Sequence, residues 1–143
     1  MKTINIGLIG FGTIGSGLVR ALKENGNLLT ERTGLRFVIR RICDKDISSP
    51  REVKVERSIL TRNSEDILSN PRIDIVVELI GGIQPALNFI LKALQNKKPV
   101  VTANKALLAE KGEAIFNAAY KNKVKIGFEA SVAGGIPIIR SLG

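Results

Sequence analysis

The chain has 143 residues, which is enough for one compact domain with a substantial core. Lys and Arg number 22 against 13 Asp and Glu, so the net charge is +9, and histidine is absent. The lack of histidine excludes most zinc sites and serine-type catalytic triads. The few aromatic residues lie in apolar segments rather than among the basic ones, so we expect no nucleic-acid partner.

The composition predicts a soluble protein of the cytoplasm. No apolar run approaches the roughly 18 residues of a membrane span, so we expect no membrane partner. The first strand begins almost at the N-terminus and leaves no room for a signal peptide. The single cysteine, Cys43, lies in an apolar segment and is expected to be buried and reduced.

The first elements are an apolar strand over 4–9 and a helix that begins near residue 13, joined by a G-x-G-x-x-G motif. Gly10 permits the tight turn, Gly12 lets a pyrophosphate approach the backbone, and Gly15 lets the helix pack on the strand. Thr13 is expected to cap the helix, whose free N–H groups then face an anion. The motif therefore predicts a dinucleotide site.

A second strand is predicted over 35–43, and Asp44 and Lys45 follow it. In dinucleotide-binding folds an acidic residue here accepts hydrogen bonds from the adenosine ribose, whereas a nearby cation accommodates a 2′-phosphate. The sequence offers both, and either residue is also compatible with ordinary surface charge at the end of a strand. The choice between NAD and NADP therefore stays open at this point.

Strand and helix alternate through the rest of the chain. A helix with a weak point at 25–27 precedes the second strand, and a polar loop over 47–61 with a short irregular strand follows it. Further strands are predicted at 73–80, 100–102 and 124–128. Helices are predicted after Asn63, after Pro85, at 103–110 and at 113–122, the last two separated by an interruption at Gly112. This order predicts a doubly wound α/β domain of the Rossmann type over 1–143, with a mostly parallel sheet and helices on both faces.

Three loops follow predicted strands at their carboxyl ends, where an open parallel sheet binds ligands. They are 81–82, 102–105 and 129–135. Lys105 lies at the mouth of one of these turns, where an ammonium group can polarise a carbonyl, transfer a proton or pair with a phosphate, although a solvated surface lysine is the alternative. The last loop combines a carboxylate with several backbone carbonyls, which suits a hard cation, although a structural turn is the alternative.

Four segments carry a resemblance to a known family. GFGTIGSGL, VVELIGG, VVTANKALLAEKG and GFEASVAGGIPII resemble, in order and spacing, segments of the homoserine dehydrogenases. The resemblance extends over essentially the whole chain, and the last three segments are specific, whereas the glycine motif is shared by many dehydrogenases. It implies an NAD- or NADP-dependent interconversion of aspartate-4-semialdehyde and homoserine, a step towards threonine and methionine.

The resemblance also assigns roles to residues. It places the cofactor pyrophosphate on residues 11–14, matches Lys45 to a 2′-phosphate ligand and so favours NADP modestly, and gives Lys105 a role between nicotinamide and substrate. It implies a sodium site formed by Glu129 and the carbonyls of Val132, Gly134 and Ile136. The predicted cofactor site as a whole comprises Gly10, Phe11, Gly12, Thr13, Ile14, Gly15, Asp44, Lys45, Gly81 and Lys105.

Family members continue beyond the matched region with a substrate and dimerisation domain. We therefore expect this chain to bind cofactor without turnover, and the full-length form to be a homo-oligomer. Two alternatives stay open: a non-catalytic dinucleotide-sensing module, and another amino-acid dehydrogenase. An aspartate-semialdehyde dehydrogenase would need a catalytic cysteine, and Cys43 is badly placed for that role.

Overall fold

The computed structural model describes residues 2–128, and strands and helices alternate along them. The strands are β1 (Lys2–Ile9), β2 (Leu35–Cys43), β3 (Leu60–Thr61), β4 (Ile75–Glu78), β5 (Val100–Thr102) and β6 (Ile126–Phe128). The helices are α1 (Thr13–Thr33), α2 (Glu65–Leu68), α3 (Ala86–Gln95) and α4 (Lys105–Asn122), with a short 3-10 turn at Arg57–Ile59.

The strands form one sheet in the order β3-β2-β1-β4-β5-β6, and every pairing in it is parallel. The chain begins in the middle of the sheet, builds outwards to β3, and then returns to β4 on the other side of β1. This reversal creates a switch point between the carboxyl ends of β1 and β4, where such sheets bind ligands. The predicted doubly wound α/β fold is confirmed.

Two apolar clusters cover the two faces of the sheet. Alternation along β4 sends Ile75 and Val77 to the cluster that contains α1, and sends Val76 to the cluster that contains α2, α3 and α4. A strand buried on both faces needs apolar residues at every position, which explains the continuous apolar run around β4. The loop after β2 also contributes to the cluster on the α1 face, because its residue Val53 is buried there.

Three local predictions are wrong. Gly12, rather than Thr13, occupies the N-cap position of α1, and no side chain caps this helix. The predicted weak point at 25–27 does not break α1, which runs on to Thr33 and ends at Gly34 in the left-handed conformation. Gly112 does not interrupt α4 either, because it is buried within a continuous helix of 18 residues.

The strand predicted at 73–80 is shorter in the structure, since β4 covers only Ile75–Glu78. Its carboxyl end gives way to a loop in which Gly81 and Gly82 both have positive φ, at 77° and 73°. These two glycines permit a backbone turn that residues with a side chain rarely adopt. The early end of β4 opens the edge of the sheet beside the glycine motif.

Candidate dinucleotide site

The glycine motif forms the turn between β1 and α1. The Gly10 amide donates to the Cys43 carbonyl at 2.8 Å, which ties the motif to the end of β2. Gly10 has a φ of 109°, and a Cβ there would lie 2.7 Å from the backbone of Leu79. A Cβ on Gly15 would lie only 2.1 Å from the Gly10 carbonyl oxygen. Both glycines are therefore required by the fold itself.

Gly12 differs from its two neighbours in the motif. Its φ of −84° is accessible to any residue, and a Cβ at this position would meet no atom within 4 Å. The fold therefore does not require glycine at position 12. The open space lies in front of the first turn of α1, whose N–H groups and positive dipole end favour an anion. This space fits a pyrophosphate that approaches the backbone more closely than a Cβ would allow.

Phe11 contributes to the site through its backbone, because its ring is buried and 2% exposed. Its amide donates to Asp44 Oδ1 at 2.9 Å, and its carbonyl accepts from Arg51 Nε at 2.6 Å. The Arg51 guanidinium also lies over the Phe11 ring, 5.0 Å from the centroid. The loop that follows β2 thus holds the glycine motif from the side.

Asp44 organises the loop that follows β2. Its Oδ2 accepts from the Asp46 amide at 2.9 Å and lies 3.5 Å from an Arg51 nitrogen. Asp46 in turn accepts from the amides of Ser48 and Ser49, each at 3.0 Å. Hydrogen bonds from Ser49 and then Ser48 lower the pKa of Asp46 to about 2, so its carboxylate is ionised at neutral pH. Both carboxylate oxygens of Asp44 are therefore already engaged in hydrogen bonds with the backbone of this loop and of the glycine motif.

Open cavities surround the glycine motif at this edge of the sheet. One, of about 440 Å³, lies between the motif, the end of β2 and the loop after β4, and its lining includes Gly12, Lys45, Gly81 and Phe89. Another, of about 380 Å³, lies beyond Asp44 on the side of α1 and includes Thr13. A smaller cavity of about 160 Å³ is lined by Ile14 and by the turns after β4 and β5.

A buried hydrogen-bond network holds the turns after β4 and β5 together. Glu78, fully buried, accepts from the amides of Ile80 and Gly81 at 2.9 and 3.1 Å through Oε2. Its Oε1 accepts from the Thr102 hydroxyl at 2.6 Å. Thr102 also accepts from the Asn104 amide at 3.1 Å, which extends the network to the start of α4.

Asn104 links this network to α4. Its Oδ1 accepts from the Leu107 amide at 3.1 Å and caps the helix, while its Nδ2 donates to the Gly82 carbonyl at 2.6 Å. Lys105 is the first residue of α4 and is exposed at the carboxyl edge of the sheet. The network thus fixes the backbone that carries Lys105 relative to the Gly81-Gly82 turn.

The structure brings the residues of the predicted cofactor site to one edge of the sheet. Gly10, Gly12, Asp44, Lys45 and Gly81 line one cavity. Sequence reasoning missed the three residues that hold the turns: Arg51, Glu78 and Asn104. The sequence did carry a signal for Glu78, which is an acidic residue within the apolar run predicted as a buried strand at 73–80.

The predicted sodium ligands Glu129, Val132, Gly134 and Ile136 lie outside the described residues. Within 2–128, no group of three or more Cys, Asp or Glu side chains is arranged to hold a metal ion. Over the same range, no helix has the length and apolarity needed to span a membrane.

Fold and site together define a dinucleotide-binding domain of the Rossmann type. Comparison with known proteins refines this class. Residues 10–129 match the family model described as homoserine dehydrogenase, NAD binding domain. The chain therefore belongs to the homoserine dehydrogenase family, as its NAD-binding domain, and its cofactor is a nicotinamide dinucleotide.

Individual relatives agree with the family model. Homoserine dehydrogenase of Bacillus subtilis is 42% identical over 142 residues, which cover 99% of this chain and 33% of that protein. Crystal structures of homoserine dehydrogenases from S. aureus and Thiobacillus denitrificans have TM-scores of 0.85 and 0.81 at 40% and 42% identity. The matched regions cover 92% and 99% of this chain, respectively, and 33% of each solved chain. The chain thus spans about one third of the length of these relatives.

Proposed function

We propose that this chain is the cofactor-binding part of an NADP-dependent homoserine dehydrogenase, which interconverts aspartate-4-semialdehyde and homoserine. The observation that carries the proposal is the open space at Gly12 in front of the first turn of α1. The fold tolerates a side chain there, so the glycine is explained by a ligand that lies against the backbone. Membership of the homoserine dehydrogenase family supplies the class of that ligand.

The preference for NADP rests on the surroundings of Asp44. Both of its carboxylate oxygens accept backbone N–H groups, so they are less free to accept the ribose hydroxyls of NAD. Lys45 follows directly, and Arg62 Nε donates to the Lys45 carbonyl at 3.2 Å. Both side chains are exposed. Two cations adjacent to the end of β2 favour a 2′-phosphate over a hydroxyl.

The chemistry proposed for the whole enzyme involves Lys105. The bound cofactor supplies the hydride that converts the aldehyde carbon to an alcohol. In this proposal Lys105 donates a hydrogen bond and then a proton to the oxygen on that carbon, and its exposure at the start of α4 supports the role. The Asn104 cap and the Gly82 contact keep the backbone of Lys105 in place during this step. Because the chain spans about a third of its relatives, we propose that these residues alone bind cofactor without turnover.

The cofactor preference is tested by titrating the chain with NADPH and with NADH and following nicotinamide emission, which is convenient because tryptophan is absent. We expect tighter binding of NADPH, and about tenfold weaker NADPH binding in a Lys45→Ala/Arg62→Ala variant, with NADH binding almost unchanged. Arg57→Ala is the matched control, because Arg57 is an exposed cation that precedes β3 rather than following it. Equal affinity for the two cofactors in the parent chain would contradict the NADP preference.

A further inference from the structure

The smallest of the three cavities at the ligand edge has a buried acidic residue in its lining. This cavity of about 160 Å³ is lined by Ile14, by residues 79–81 and by residues 103–104, with Glu78 among its lining residues. Its volume is close to that of the roughly 150 Å³ cavity that accepts a benzene ring in a protein core. It therefore fits a single ring.

The position of this cavity identifies the part of the cofactor that it receives. It lies at the ends of β4 and β5, on the opposite side of the glycine motif from Asp44 and Lys45. A dinucleotide that crosses the switch point with its pyrophosphate at Gly12 places its two ends on opposite sides of the motif. With the adenosine half beside β2, the nicotinamide ring falls to the cavity beside β4 and β5.

Glu78 brings negative charge to this cavity without contacting solvent. Its side chain is fully buried, and all three of its hydrogen bonds are ones in which the carboxylate accepts. Two of the donors, the amides of Ile80 and Gly81, belong to the wall of the cavity. No ion pair between Glu78 and a Lys or Arg side chain occurs among the salt bridges of residues 2–128. The charge of Glu78 is thus dispersed by hydrogen bonds and not cancelled by a cation.

The two redox states of the cofactor respond differently to such a charge. The oxidised nicotinamide ring carries a positive charge, whereas the reduced ring is neutral. A fixed carboxylate in a poorly solvated setting attracts the first and has little net effect on the second. We infer that Glu78 is a specificity-determining residue for the redox state of the cofactor, and that it raises the affinity for the oxidised form relative to the reduced form. This inference rests on the proposed function, because it requires a nicotinamide ring in the cavity.

The experiment compares two affinities in the same chain. NADPH binding is followed by its own emission, and NADP⁺ binding by its displacement of NADPH. We expect Glu78→Gln, which keeps the size of the side chain, to weaken NADP⁺ binding about fivefold relative to NADPH binding. Asp74→Asn removes the same charge at the opposite edge of the sheet, where Asp74 accepts from the Asn5 amide, and is expected to leave the ratio unchanged.

Each outcome is informative. If Glu78→Gln weakens both cofactors by the same factor, Glu78 only supports the fold of the turns, and the inference is overturned. If the parent chain is folded and binds neither cofactor, the proposed function itself is contradicted, and this outcome is distinguishable from failure of the inference about Glu78.

A second pair of variants serves if Glu78→Gln does not fold. Ile14 lines the same cavity and is 51% exposed, so it accepts polar residues without loss of core packing. For each variant the measured quantity is the ratio of the NADP⁺ affinity to the NADPH affinity. We expect this ratio to be several-fold higher in Ile14→Glu than in Ile14→Gln. Equal ratios in these two variants would show that the charge of this cavity does not act on the nicotinamide ring.

Discussion

The guanidinium of Arg51 lies over the ring of Phe11, 5.0 Å from its centroid, and its Nε donates to the Phe11 carbonyl at 2.6 Å. Further nitrogens of Arg51 donate to the carbonyls of Ser49 and Asp46. One side chain thus joins the second residue of the glycine motif to the loop after β2. In a dinucleotide-binding domain these are the segments that surround the pyrophosphate and the adenosine ribose.

Arg51→Gln should destabilise the chain by about 2 kcal/mol, since it removes a cation–π contact and several hydrogen bonds of a side chain that is 15% exposed. The affinity for NADPH should fall as well, because the motif loses its lateral support. Arg20→Gln is the matched control, because Arg20 binds Glu52 of the same loop but is 48% exposed. Urea unfolding measures both variants, and equal losses of unfolding free energy would contradict the proposed role of Arg51.

Gly15→Ala should cost about 3 kcal/mol of stability or more. The new Cβ would lie 2.1 Å from the Gly10 carbonyl oxygen, and backbone must shift to relieve the clash. Gly26→Ala, in the same helix, meets no atom within 4 Å and should instead stabilise the chain by about 0.5–1 kcal/mol. Thermal unfolding of the two variants tests the contrast, and a tolerated alanine at position 15 would show that the turn and α1 pack less closely than described.

Cys43 should make the chain less stable at alkaline pH. Burial, followed by the nearby carboxylates of Asp44 and Asp66, raises the pKa of the Cys43 thiol from 9.0 to about 11. Between pH 9 and 11 the Cys43 thiol therefore stays protonated in the folded state but loses its proton in the unfolded state. The resulting stability is fully present below pH 9 and is lost as the pH rises through 11, by about 2–3 kcal/mol in all.

The measurement for Cys43 is the free energy of unfolding at several pH values in the parent chain and in Cys43→Ala. Lysines titrate in both chains, so the difference between the two curves reports Cys43 alone. We expect the parent chain to lose its advantage over Cys43→Ala between pH 9 and 11. Parallel curves would mean that the thiol titrates in the folded chain as it does in the unfolded one.

Asn104→Ala should destabilise the chain by about 2 kcal/mol, since it removes both the cap of α4 and the contact with Gly82. Asn104→Asp keeps an oxygen for the Leu107 amide and loses only the donor to Gly82, so its cost should be about half as large. Chemical denaturation measures both changes. If the aspartate variant is as unstable as the alanine variant, the helix cap is not what Asn104 contributes.

The sequence predicted the parts of the fold that depend on local patterns. Apolar runs marked the buried strands, and the glycine motif marked the turn between β1 and α1, because each depends on residues that are neighbours in the chain. The predicted break at Gly112 was wrong since the helix-breaking cost of one glycine, about 1 kcal/mol, is small beside tertiary packing. In α4 that packing comes from Leu107 and Ile115, both fully buried.

The residues that hold the site together were harder to find from sequence. Arg51 reaches Phe11 across 40 positions, and Glu78 reaches Thr102 across 24. No periodicity or short motif encodes such contacts, because they depend on which strands become neighbours in the sheet: β1 beside β2, and β4 beside β5. The predicted roles of Lys105 and of the sodium ligands came from family resemblance, and they stay predictions.

Binding of a nicotinamide dinucleotide against the backbone of Gly12 is tested by a comparison of two chains. Wild-type chain and Gly12→Ala are titrated with NADPH, and the thermal unfolding of both is recorded. The open space at Gly12 predicts that the alanine variant unfolds at nearly the wild-type temperature but binds NADPH at least tenfold more weakly. Unchanged NADPH affinity in a folded Gly12→Ala chain would contradict binding at Gly12, as would a folded wild-type chain that does not bind NADPH.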